Sequence, residues 1–144
     1  MTAQDQQQTT LGPTPDSFAA ARAAGQARLQ NAEHLGIKRF LTLDTQAYAD
    51  RSAQGGLDAP TKELLGLVAS AVLRCDDCIN YHLEQCVKRG VTAQQIEDAL
   101  NVALIVGGSI VIPHARRALL FLDQLPKPNT DQPATDDAGV TTGR

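Results

Sequence analysis

Apolar positions along the middle of this chain recur three and four residues apart, which is the spacing of one face of a helix. Leu64, Leu65, Leu67, Val68, Ala71 and Val72 form one such series, and Cys78, Ile79, His82, Leu83, Cys86 and Val87 form the next, with Gly90 as its stop. Ile96, Ala99, Leu100, Ala103 and Leu104 make a third behind Thr92 and Gln95, which have the form of a capping box. Upstream, an Ala-rich helix capped by Asp16 or Ser17 runs to about His34 with Gly36 as its stop, and a second covers about 37–50. Residues 51–57 read as a loop. Asp58 and Pro60 then open the helix that carries Glu63, expected in its first turn, where a negative charge suits the helix dipole. Gly107 and Gly108 break the third series, and a last helix starts near Pro113. The β-branched stretches 102–106 and 110–112 also fit a hairpin around Gly107-Gly108-Ser109. The capped pattern from Thr92 continues unbroken into Val106, which favours helix. The expectation is an all-α bundle of about six helices.

Residues 1–14 and 126–144 are polar, with Pro and Thr but few large apolar side chains. They bury too little surface to offset the entropy of ordering, so they read as tails around one folded unit at 15–125. Among 144 residues the net charge is −3, aromatic content is 3% and Trp is absent. That balance gives no electrostatic case for nucleic acid or an anionic membrane, and it supplies few stacking platforms. The N-terminus has neither a basic start nor an apolar run. The most apolar stretch, 102–112, is interrupted by two glycines and falls far short of the roughly 20 residues a spanning helix needs. A soluble, cytoplasmic protein is expected.

The chemistry concentrates in Arg74-Cys75-Asp76-Asp77-Cys78-Ile79-Asn80-Tyr81-His82. Three cysteines, an odd number, lie between positions 75 and 86, unlike the spread, even set of a disulfide-stapled secreted domain. Two thiols three apart on a helical turn are close enough to join and part, and a helix N-terminus favours the thiolate. Asp76 and Asp77 oppose that charge, and Arg74 partly offsets them. His82 lies one turn beyond Cys78 on the same face and can take its proton, with Glu63 as the group that orients the imidazole. Two straight helices meeting near Cys75 would place His82 opposite Val68, about 7–8 Å short of Glu63. Crossed packing, a longer turn or a water has to close that gap. Zinc binding and plain core packing compete with redox chemistry for the cysteines, although a zinc set would have to recruit His82 and Cys86 from the same few turns. Cys86 reads better as a small buried apolar residue than as a redox group. His34 suits a helix end, His114 and Arg116-Arg117 suit structural or interface roles, and Gly107-Gly108 suits a helix turn rather than a phosphate loop.

Glu63, Cys75 twelve residues on, Cys78 three further and His82 four further resemble the active-site pattern of the AhpD-like, carboxymuconolactone decarboxylase superfamily. The likeness extends over about 57–122 through Gly56-Leu57-Asp58, Thr61-Lys62-Glu63-Leu64-Leu65, Gly90-Val91-Thr92 and Ile96-Glu97-Asp98-Ala99-Leu100. It implies an AhpD-like helical bundle assembled as a homo-oligomer, commonly a trimer or hexamer. It implies an alkylhydroperoxidase in which Cys78 attacks the peroxide, Cys75 resolves the sulfenic acid as a Cys75–Cys78 disulfide, and His82 with Glu63 relays the proton. It implies a dithiol partner, a lipoyl-carrying or thioredoxin-like protein, and no metal or flavin cofactor. Asp77 is a departure, since the superfamily's peroxidase has histidine there, and it weighs toward disulfide exchange. Rival readings are a decarboxylase acting on a small carboxylated lactone and a non-enzymatic redox-sensing or metal-binding oligomer.

Overall fold

The computed structural model describes residues 12–127, so the tails expected at 1–14 and 126–144 lie almost wholly outside the described residues. Six α-helices follow in order: α1 Pro15–Gln30, α2 Leu35–Ala47, α3 Ala59–Val72, α4 Asp76–Lys88, α5 Ala93–Gly107 and α6 Ile112–Leu122. Short 3-10 turns occupy Ser52–Gln54 and Ser109–Val111, and no strand occurs among the described residues. The hairpin alternative at 102–112 therefore does not form. α5 runs through to Gly107, and the Gly108 N–H, on a residue with φ +77°, closes the helix on the Leu104 carbonyl at 2.8 Å.

Capping chemistry moves several expected boundaries. Thr14, rather than Asp16 or Ser17, caps α1, because Pro15 fills a first-turn position that needs no N–H and Thr14 Oγ1 accepts from the Ser17 N–H at 3.3 Å. α1 stops at Gln30, so His34 does not lie at its end. It is the N-cap of α2, with Nδ1 accepting from the Gly36 N–H at 3.1 Å. Asp58 caps α3 as expected, accepting from the Thr61 N–H at 2.8 Å. Counted from that cap, Glu63 falls in the second turn, with no acidic residue in the first. Thr92 and Gln95 form the reciprocal capping box at α5.

The core lies between α3, α4, α5 and α6. Leu67, Ile79, Leu83, Ile96 and Val111 are fully buried there, each stabilising the fold by roughly 2–3 kcal/mol. Phe18 of α1 meets Phe121 of α6 edge-to-face at 5.6 Å, which fastens the first helix to the last. α3 and α4 make a tight hairpin. The Cys75 N–H reaches the Ser70 carbonyl at 3.0 Å and the Arg74 N–H reaches Ala71 at 3.0 Å, the paired bonds that end a helix on a left-handed residue. Arg74, at φ 61°, is the one non-glycine residue in that region among those described. α4 ends in the same way on Gly90, with Val91 N–H to Cys86 at 2.9 Å.

The loop before α3 is fixed by side chains. Asp50 accepts from the Ser52 N–H at 2.8 Å, from the Ser52 hydroxyl, and from the Ala59 N–H at 3.1 Å. Lys62 donates to the Ala47 and Ala49 carbonyls at 2.8 and 2.7 Å, tying the end of α2 to α3. Hydrogen bonds from Ser52 hold Asp50 below the ordinary carboxyl range, and Thr61 does the same for Asp58. Carboxyls depressed in the folded state stabilise it above the unfolded value of roughly 3.9, and that contribution is lost as pH falls through the folded value. Thermal melting followed from pH 6 to pH 2.5 is expected to show a steeper acid loss in the wild type than in Asp50→Asn, which should melt lower at pH 6 and depend less on pH.

Candidate active site

The α3–α4 hairpin turns about Arg74, and this register sets Gly66 of α3 against His82 of α4. A β-carbon on Gly66 would overlap the imidazole, lying 2.7 Å from Nε2. Because glycine has none, the two helices close up at this point. Glu63 sits three residues back on α3, about 4.5 Å along the axis, which a glutamate side chain spans. His82 Nδ1 and Glu63 Oε2 are 2.8 Å apart. The gap expected from pairing with Val68 is therefore absent, and no water is needed between the two groups.

Glu63 is 1% exposed and His82 6%. A buried carboxylate is costly unless paired. Its second oxygen lies 3.4 Å from Arg89 Nε at the end of α4, so both oxygens face a cationic or donor group. A carboxylate only accepts, so Nδ1 donates to Oε2 and a neutral imidazole is left with an acceptor at Nε2. The Tyr48 hydroxyl lies 3.4 Å from Nε2. Burial, and after it the Glu63 charge, raises the Tyr48 phenol above its ordinary value, so it keeps its proton and donates. The imidazole lies between the Tyr48 ring at 5.3 Å and the Tyr81 ring at 5.2 Å, and the Arg22 guanidinium of α1 covers Tyr81 at 3.8 Å.

Cys75 and Cys78 form a disulfide with Cα atoms 5.3 Å apart. Cys75 is the N-cap of α4, and its sulfur accepts from the Cys78 N–H at 3.3 Å. Cys78 is exposed and Cys75 half-buried. Cys86, one turn past His82, is fully buried, and desolvation pushes its thiol up to about 12. It packs in the core as an apolar residue. Among the described residues no three His, Cys, Asp or Glu side chains converge as a metal site. No described helix is long and apolar enough to cross a membrane.

Sequence reading passed over several residues. Gly66 left a signal, since a glycine inside a helix costs about 1 kcal/mol relative to alanine and calls for a packing reason. Tyr48 and Arg89 left none, because their partners are brought to them by tertiary contacts. Asp76 was read as a charge beside the thiols. It also binds His114 Nδ1 at 2.7 Å and Arg117 Nε at 3.1 Å, which joins the start of α4 to α6.

These features define an all-helical protein built around a Cys-x-x-Cys disulfide and a buried acid–imidazole pair. The chain belongs to the carboxymuconolactone decarboxylase family, whose model matches residues 37–120. A carboxymuconolactone decarboxylase family protein from Thermotoga maritima is 50% identical with a TM-score of 0.68, covering 74% of this chain and 87% of that one. A family protein from Legionella pneumophila, at 24% identity, shares the fold with a TM-score of 0.68 over 76% of this chain and 95% of its own. The uncharacterized protein 4 of the Paracoccus denitrificans cox locus is 34% identical over 86 residues, 60% of this chain and 74% of its own. The alkyl hydroperoxide reductase AhpD of Corynebacterium aurimucosum is 37% identical over 54 residues, 38% of this chain but 30% of that enzyme.

Gly66→Ala tests the helix approach. Helix propensity alone would stabilise it by about 1 kcal/mol, but overlap with the imidazole should reverse the sign and cost about 1–3 kcal/mol in urea unfolding. A more stable variant would show that the helices are not held at this distance. In the reduced, folded protein, iodoacetamide should modify Cys75 and Cys78 and leave Cys86 untouched until denaturant is added, as read by mass mapping.

Proposed function

We propose that this chain is a thiol-dependent hydroperoxide reductase that cycles Cys75 and Cys78 between dithiol and disulfide. The observation that carries the reading is the buried Glu63–His82 pair on the same hairpin as the disulfide, with His82 one turn beyond Cys78. The Cys78 thiol gives its proton to Nε2 of the imidazole as the Tyr48 hydroxyl, its donor at rest, rotates away, and the new charge is met by the Glu63 carboxylate. The Cys78 thiolate attacks the outer oxygen of the hydroperoxide. The O–O bond breaks, the alcohol leaves with a proton, and Cys78 becomes a sulfenic acid. Cys75 then displaces water from that sulfur and forms the disulfide. A dithiol, lipoyl-borne or thioredoxin-like, takes up the oxidation and restores both thiols.

Exposure of Cys78 supports its role as the attacking sulfur, and the half-buried Cys75 behind it suits resolution. The suggested place of the Thermotoga maritima relative in antioxidative response agrees with this reading. So does the local likeness to the Corynebacterium reductase. A lactone decarboxylase has no need of a closing thiol pair. A second copy of this chain is part of the proposal. Ile105 is 80% exposed and Leu73 75%, and Val106 and Ile110 are also open to solvent. A homo-oligomer would cover these side chains.

Stopped-flow reaction of the reduced protein with an alkyl hydroperoxide is the test. Cys78→Ser should abolish turnover, and Cys75→Ser should leave a sulfenic acid that dimedone traps at Cys78. Glu63→Gln should slow the peroxide step by about 10²-fold while the fold persists. Dimedone on Cys75 would exchange the two roles, and full turnover in Cys78→Ser would remove the thiol mechanism.

A further inference from the structure

The Cys-x-x-Cys turn is fastened to α6 by one carboxylate. Asp76, the residue after Cys75, accepts from His114 Nδ1 at 2.7 Å, from Arg117 Nε at 3.1 Å and from an Arg117 terminal nitrogen at 2.9 Å. The same terminal nitrogen is 3.1 Å from His114 Nδ1, so the three side chains form one cluster. The charges around the sulfurs come from several elements. α4 presents Asp76, Asp77 and His82, the turn presents Arg74, α3 presents Glu63 to His82, and α6 presents His114 and Arg117. The final turns of α5, 101–107, carry no ionisable side chain.

Cys75 occupies the N-cap of α4, where the helix dipole and the Cys78 N–H favour negative charge on its sulfur. Asp76, its covalent neighbour, opposes that charge. The Arg117 guanidinium is always cationic, and it meets the carboxylate with two N–H groups.

We propose that Arg117 and His114, acting through Asp76, are positioning residues for the reductive half of the cycle, because they offset the carboxylate charge next to Cys75, which disfavours it as a leaving thiolate. This rests on the reading that the pair cycles. A thiolate of the reducing dithiol attacks the exposed Cys78 sulfur and forms a mixed disulfide. The Cys75–Cys78 bond breaks, and its electron pair leaves on Cys75. The second thiol of the reductant, as thiolate, attacks the mixed disulfide and releases Cys78, and the protein sulfurs take up the two protons the reductant lost. A lower-pKa leaving thiol departs faster.

The experiment is the rate at which dithiothreitol opens the disulfide of the oxidised protein, in wild type, Arg117→Gln, Arg117→Lys, Asp76→Asn and the Arg117→Gln/Asp76→Asn double variant. Loss of one compensating charge at this range is expected to slow opening about two- to threefold in Arg117→Gln. Asp76→Asn keeps an acceptor for α6 but removes the charge, and it should speed opening. The double variant should return close to wild type, and Arg117→Lys should keep most of the rate. In the reduced proteins, the pH midpoint of Cys75 alkylation should rise in Arg117→Gln and fall in Asp76→Asn by about half a unit. A purely structural clamp predicts slowing in both single variants, and that result, or no change in either, overturns the proposal. If Arg117→Gln does not fold, the sign of the Asp76→Asn effect decides alone. Absence of peroxide turnover would sink the peroxidase reading while leaving these rates to judge the clamp.

Discussion

One buried hydrogen bond, from His82 to Glu63, sets how closely the two central helices must stand. A carboxylate that has lost its water costs several kcal/mol unless it is met by charge or donors. Glu63 is met on both oxygens, by the imidazole of His82 and by Arg89. That requirement brings α4 against α3 until a β-carbon between them would collide with the ring, and Gly66 follows from it. The imidazole is then enclosed by Tyr48 and Tyr81, so its one remaining nitrogen has a defined surrounding. Fold and site are here the same contact. Weakening it would separate the helices and free the imidazole together.

The sulfur end of the hairpin follows a different rule. There the chain must reverse within three residues, and it does so by placing Arg74 in a left-handed conformation that glycine takes more readily. The reversal puts Cys75 at the start of α4, with its sulfur directed at the backbone of the first turn. Asp76 ties that turn to the last helix. The disulfide is thus framed by backbone and ionic contacts, while the imidazole is framed by close packing.

Much of this was legible in the sequence because it is local. The capping box at Thr92, the Asp58–Pro60 start and the stops at Gly90 and Gly107-Gly108 were readable from near neighbours, as was the six-helix, all-α character, whereas Gly36, expected to stop the first helix, lies inside the second. The start of α1 was misplaced because Pro15 and Thr14 together outcompete Asp16 and Ser17 for the cap. His34 changed meaning because a helix ended earlier than its alanine content implied. Glu63 was linked with His82 through the resemblance, against the simple hairpin register, and its local role was wrong because five residues past the Asp58 cap is already the second turn. Tyr48 and Arg89 were silent, and the Asp76 partner of His114 could not be read, because what they touch lies 34, 26 and 38 positions away in the chain.

Cys75 has two occupations at once, as one of the paired sulfurs and as the cap of a helix. An anionic sulfur accepts a hydrogen bond more strongly than one sharing its electrons with a partner. In the proposed cycle the first turn of α4 would thereby sense how many electrons the pair holds, with the amide of residue 78 as its backbone reporter. Secondary structure would in that sense record oxidation, at a single peptide group.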